Sequence, residues 1–108
     1  MRVAVTKHVS DAGRAARVNE AVDGVEVQLL SIQKLVTSFH SEALALNARP
    51  DATRADFVTL VQQIDKQRLD ARTNLINLHL KMTANTTADE WKELAGYERA
   101  IFSTAWGR

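Results

Sequence analysis

The chain has no cysteine, one proline and four glycines. Without cysteine there are no disulfides, thiolate nucleophiles or zinc–thiolate sites. The compartment stays open, because a cysteine-free chain suits the cytosol and the periplasm alike. So little glycine and proline argues against a turn-rich β architecture and for a few long elements. No apolar run reaches the roughly 18–20 residues that span a bilayer, so no transmembrane segment is expected. The opening MRVAVTKHVSDAGR has too short an apolar stretch for a secretory leader. Like charges form no block: 14 basic and 13 acidic residues are interspersed, for a net charge of +1. Nothing here neutralises a phosphate backbone, which excludes nucleic acid as the expected partner. There is no nucleophile elbow, P-loop, dinucleotide fingerprint or pair of catalytic carboxylates. No cofactor is implied, and an enzyme is the least favoured class.

What is present reads as helix. At 108 residues one domain is expected, and 45% hydrophobic with 25% charged residues is a globular composition. Residues 1–10 mix polar and apolar types and read as an N-terminal arm of coil, since Val3-Ala4-Val5 has no second strand to pair with. Ser10 or Asp11 offers an N-cap. Apolar residues then fall at Val18, Val22, Val25, Leu29, Ile32, Val36, Phe39, Ala43 and Leu46, in alternating steps of four and three. That is the seam of a coiled-coil-like helix, expected over 12–47 and about 50 Å long. Gly24 inside it costs about 1 kcal/mol relative to alanine. Pro50 ends the helix, and Asp51 or Thr53 can cap a second one over 52–84.

The second helix repeats the rhythm at Phe57, Val61, Ile64, Ala71, Leu75, Leu78 and Met82, with Arg68 interrupting it. A short connection makes the two helices antiparallel, so residue n faces roughly residue 100 − n. Val18 is expected against Met82 and Val36 against Ile64. Thr87 and Glu90 then form a capping box, with Thr86 and Asp89 as a competing register. A third helix is expected over 87–104, with Trp91, Leu94, Ala95, Ile101, Phe102 and Ala105 on one broad face. Two tryptophans give it a large anchoring area. The expected fold is all-α: a long antiparallel helical hairpin plus a shorter C-terminal helix, in one domain.

Candidate sites are few. His8, His40 and His79 are the only histidines, and no HxxxH, HxxE or ExxH spacing places two ligands on one helical face. His8 and His79 are the candidates for a metal, provided the arm folds back; as surface or packing residues they need no ligand. Asp65, Lys66, Arg68, Asp70 and Arg72 form the densest charged run, a solvated face with local pairs such as Asp65 with Arg68. Arg68 and Arg72 are the candidates within it for an anion or partner contact. Val27 and Leu30 point away from the seam, and Leu35 and Leu44 widen it. These four are the candidate surface for a partner chain or a second copy, a homodimer being the expected assembly.

The stretch KMTANTTADEWKEL, residues 81–94, carries one more signal. A long helix with arginines in its middle (QRLDAR, 67–72) ends in LHLKM, and a T-x-x-E-W restart follows. This resembles the periplasmic Spy/CpxP-like and heavy-metal-resistance proteins, small helical hairpins with an L-T-x-x-Q-type motif where a helix restarts. Thr87-Ala88-Asp89-Glu90 stands at the matching place; the motif's leucine is Thr86 here and its glutamine is Glu90. The resemblance implies an envelope location, a dimeric cradle-like assembly, and a role in chaperoning or in sensing metal and envelope stress. It brings no metal ligand or client-binding residue onto this chain. The leading expectation is thus a non-enzymatic binding or chaperone-like protein, periplasmic if a leader was removed and otherwise cytoplasmic. A structural adaptor in a larger complex and a histidine-based metal sensor are the alternatives.

Overall fold

The computed structural model describes residues 1–106, with side chains to Ser103. Among these residues there are four helices and no strand: α1 (Arg2–His8), α2 (Ala12–Ala48), α3 (Arg54–Ala84) and α4 (Ala88–Trp106). The fold is all-α. The chain divides into two compact units. Unit 1 joins residues 1–27 to the chain from Leu75 onward, and unit 2 is Gln28–Asn74.

The arm expected as coil is a helix. Seven residues do not hold a helix alone, because nucleation costs more than so few hydrogen bonds return. Tertiary burial supplies the difference. Ala4, Val5 and Val9 are buried, and α1 packs on α4. Val5 and Val9 are one turn apart and share a face, while Val3 projects into solvent at 84% exposure. Arg2 anchors the outer side through Asp23 and through Glu26 at 2.8 Å.

Asp11 starts α2: the Arg14 N–H donates to its Oδ2 at 2.8 Å. Val18, Ala21, Val22 and Val25 are buried in unit 1. Contacts with the last part of α3 and the turn after it run antiparallel there, lower numbers on α2 meeting higher ones. Arg17 Nε reaches Asn85 Oδ1 at 2.6 Å, Glu20 pairs with Lys81 at 3.3 Å, and Gly24 faces Leu78. A Cβ on Gly24 would stand 2.8 Å from Leu78 Cδ2, so the missing side chain is what admits that leucine against the α2 backbone.

Unit 2 holds the rest of α2 and the first part of α3. Thr53 caps α3 reciprocally: its N–H donates to Asp56 Oδ2 at 2.9 Å, and its Oγ1 accepts from the Asp56 N–H at 3.3 Å. The first of these bonds holds the Asp56 carboxyl below its usual range. The core is thin: Leu60, Ile64 and Ala71 are buried, and Ile32, Leu35 and Phe39 are half-buried. Here the seam departs from expectation. Val36 is 55% exposed and Val61 is also exposed, while Leu35 and Leu60 turn inward. Within the unit α2 has one neighbouring helix, which covers a single strip. Leu35 and Val36 are about 100° apart around the axis, so one of them must face out.

α4 opens with the Thr87–Glu90 box and buries Leu94 fully; Met82 at the end of α3 is equally enclosed. Trp91, Ala95, Ile101 and Phe102 are half-buried. The side chains of Ala105, counted toward the same face, and of Trp106, the second anchoring tryptophan, lie outside the described residues. Gly96 is exposed, and nothing lies within 4 Å of where its Cβ would be. Gly96→Ala is therefore expected to stabilise the chain by about 0.5–1 kcal/mol, read from the midpoint of urea unfolding.

Candidate functional site

Three places concentrate chemistry or unused surface. The first is built around Glu90. Its Oε1 accepts from the Thr87 N–H at 2.8 Å and from Arg14 Nη1 at 2.5 Å. Its Oε2 accepts from the Ser10 N–H at 2.9 Å, from Ser10 Oγ at 3.2 Å and from Arg14 Nη2 at 3.3 Å. The Glu90 N–H in turn donates to Thr87 Oγ1 at 3.1 Å. Arg14 also reaches the Asn85 carbonyl at 3.3 Å. One carboxylate thus caps α4 and ties down the α1–α2 connection and the first turn of α2. Arg14 first, then the Thr87 and Ser10 N–H groups, hold its carboxyl well below the usual carboxylate range. Reciprocally, Glu90 raises the Arg14 guanidinium. Every carboxylate lone-pair direction is occupied, so this site holds structure together and has no position left for a ligand.

The second is a groove between α3 and α4 in unit 1. His79 Nδ1 lies 2.9 and 2.8 Å from the two oxygens of Glu98, which is buried. Trp91 meets the imidazole edge-on, at 5.3 Å between ring centres and 83° between planes. Ala95, Arg99, Phe102 and Ser103 complete an open groove of about 500 Å³. Toward an ionised carboxylate Nδ1–H is the donor, and Nε2 faces away from Glu98, an acceptor in the neutral imidazole and a donor in the imidazolium. A histidine held this way is half of a general-base arrangement. No hydrogen bond joins Ser103 to His79 among the described residues.

The third is the outer surface of the long helices. Of the four residues expected as a partner surface, Val27, Leu30 and Leu44 are exposed. The fourth is Leu35. It is half-buried and lines the cleft between α2 and α3 with Ile32, Gln67 and Ala71. Arg68 and Arg72 are exposed and make no ion pair among the described residues, and the expected Asp65–Arg68 pair does not form. Exposed large apolar residues are denser on α3 than the sequence suggested: Phe57, Val58, Val61, Leu69, Ile76 and Leu80.

The metal candidates do not converge. His79 commits Nδ1 to Glu98, His8 is half-buried at the end of α1, and no three His, Asp or Glu among the described residues come together to hold an ion. Glu98 and Arg14 were not legible as partners in the sequence. Glu98 follows His79 by 19 positions and Arg14 precedes Glu90 by 76, separations that carry no helical periodicity. No helix is long and apolar enough to cross a membrane among the described residues. No protein family, no curated protein and no solved structure matches the chain. The likeness to Spy/CpxP-like proteins has no homologue behind it.

Proposed function

We propose that the chain is a non-enzymatic binding protein that engages another polypeptide through the apolar outer faces of its long helices. Its scaffold is read as a long antiparallel helical hairpin with the C-terminal helix folded back on it. One observation carries the reading. α3 already commits Leu60, Ile64, Ala71, Leu75 and Met82 to its own core, yet Phe57, Val58, Val61, Leu69, Ile76 and Leu80 remain in solvent. A helix that is apolar on a second face has surface its own fold leaves uncovered.

The T-x-x-E-W restart favours a particular form of this reading: a chaperone-like protein of the bacterial envelope, linked to stress or metal response. The same face would serve a structural adaptor with one dedicated partner. Suppression of light scattering by a reduced, unfolding client protein tests the binding reading. Protection at stoichiometric ratios is expected, and its loss in the folded variant Leu69→Lys. Unaltered aggregation of the client, together with no stable partner in a crosslinked lysate, would overturn it. Release by osmotic shock separates the envelope form from a cytosolic adaptor.

A further inference from the structure

The groove between α3 and α4 combines an apolar wall with one uncommitted cation, and all of its lining belongs to unit 1. Trp91, Ala95, Glu98 and Phe102 follow one another along α4 at steps of four, three and four, so they share a face. Arg99 and Ser103 stand one position beyond the last two and widen that face toward solvent. The volume, about 500 Å³, is in the range that takes a small organic molecule. Trp91, Ala95 and Phe102 are half-buried and form the apolar wall. The two charges differ in what they already hold. Glu98 is buried, and both of its oxygens lie on His79 Nδ1, at 2.9 and 2.8 Å. Arg99 is exposed and has no ion pair or side-chain hydrogen bond among the described residues. Its own helix offers it no counterion, because the residues three and four positions away are Ala95, Gly96, Phe102 and Ser103.

We propose that this groove binds a small aromatic carboxylate, with its ring against Trp91 and Phe102 and its carboxylate on the Arg99 guanidinium. Charge selects the acid. The planar guanidinium presents two parallel N–H donors that match the two oxygens of a carboxylate. The Ser103 hydroxyl, one turn further along α4, is a second donor on the same side. A cationic ligand finds no such match. The carboxylate that would receive it is already taken by His79, and Arg99 repels it. The wall selects the ring. Indole and phenyl faces stack or meet edge-on with another aromatic group, a gain that an aliphatic acid of the same charge does not make. The His79–Glu98 bond has a positioning part in this: it holds the buried carboxylate away from the incoming one and keeps the imidazole edge-on to Trp91, 5.3 Å between ring centres. The groove and the polypeptide reading above are independent, and neither rests on the other.

The test is isothermal titration calorimetry with two probes, 2-naphthoate and its uncharged counterpart 2-naphthalenemethanol. Circular dichroism confirms that each variant is folded. The whole chain is expected to bind naphthoate at one saturable site, about tenfold or more tighter than the alcohol. Arg99→Gln keeps a polar side chain at an exposed helical position. It is expected to lower naphthoate to the affinity of the alcohol and to leave the alcohol unchanged. Arg72→Gln, at an exposed arginine of unit 2, is expected to change neither probe. Four results would overturn the proposal: no saturable naphthoate binding into the millimolar range, equal affinity for the two probes, undiminished naphthoate binding by Arg99→Gln, or an equal loss in Arg72→Gln. The last would mean that the probe adsorbs to apolar surface beside any arginine.

Discussion

Glu90→Gln is expected to lower the thermal midpoint at pH 7 by roughly 5–10 °C and to flatten its dependence on pH. The amide keeps the size of the side chain but gives up the charge that Arg14 faces at 2.5 Å. It also puts an NH₂ group where one carboxylate oxygen accepted from Thr87 or Ser10. The pH dependence follows from the direction of the Glu90 shift. Its carboxyl is depressed in the folded chain and ordinary in the unfolded one, so the unfolded chain takes up the proton first as pH falls. The stabilisation is therefore complete above the unfolded value, near pH 4.5, and drains away as pH drops from about 5 toward the depressed folded value. Melting curves of wild type and variant between pH 7 and pH 3 are expected to draw together below about pH 4.5 without meeting by pH 3. Asp56, also depressed, gives both proteins a shared acid sensitivity of the same sign. Parallel curves across the range would show that Arg14 and the two N–H groups do not favour the ionised form.

The second large effect concerns the N-terminus. Val5→Asp is expected to cost about 3–5 kcal/mol, enough to populate the unfolded chain, while Val3→Asp is expected to stay within about 0.5 kcal/mol. The substitutions are two residues apart and chemically the same. They differ in that Val5 is fully enclosed and Val3 is 84% exposed. An aspartate at position 5 brings an unpaired charge into an apolar contact, and the escape is to undock α1. Chemical denaturation of both variants reads the difference. Equal, small losses would mean that residues 2–8 are not part of the folded core.

That contrast marks how far the sequence could be read. Its all-helical character was legible because the apolar steps of four and three persist from Val18 to Leu46 and resume at Phe57. Helix starts were legible because capping is local chemistry: Thr53 and Thr87 each bond an amide three residues on. α1 was not legible. Seven residues show too few periods to register, and their helicity comes from α4, contributed by the far end of the chain. The Leu35–Val36 exchange was missed because a repeat says which residues are apolar but not how a neighbouring helix is rotated against them. His79 with Glu98 was missed for a related reason, since the pair crosses two helices and leaves no spacing in either. Of the candidate surface, Val27, Leu30 and Leu44 stood out as apolar residues off the seam, whereas the α3 stripe was hidden by treating Phe57 and Val61 as core.

The bonds from Ser10 and Arg14 to Glu90 join positions 80 and 76 residues apart. Closing so long a segment costs loop entropy before any bond forms, which sets an order of assembly. The middle of the chain can pair locally while α4 is still being made. Until then α1 lacks the helix it packs on, and the pairs of Arg2 with Asp23 and Glu26 hold it to α2. Residues 1–10 complete their contacts only once α4 is made, and a chain cut short before α4 leaves Val5 and Val9 uncovered for quality control to recognise.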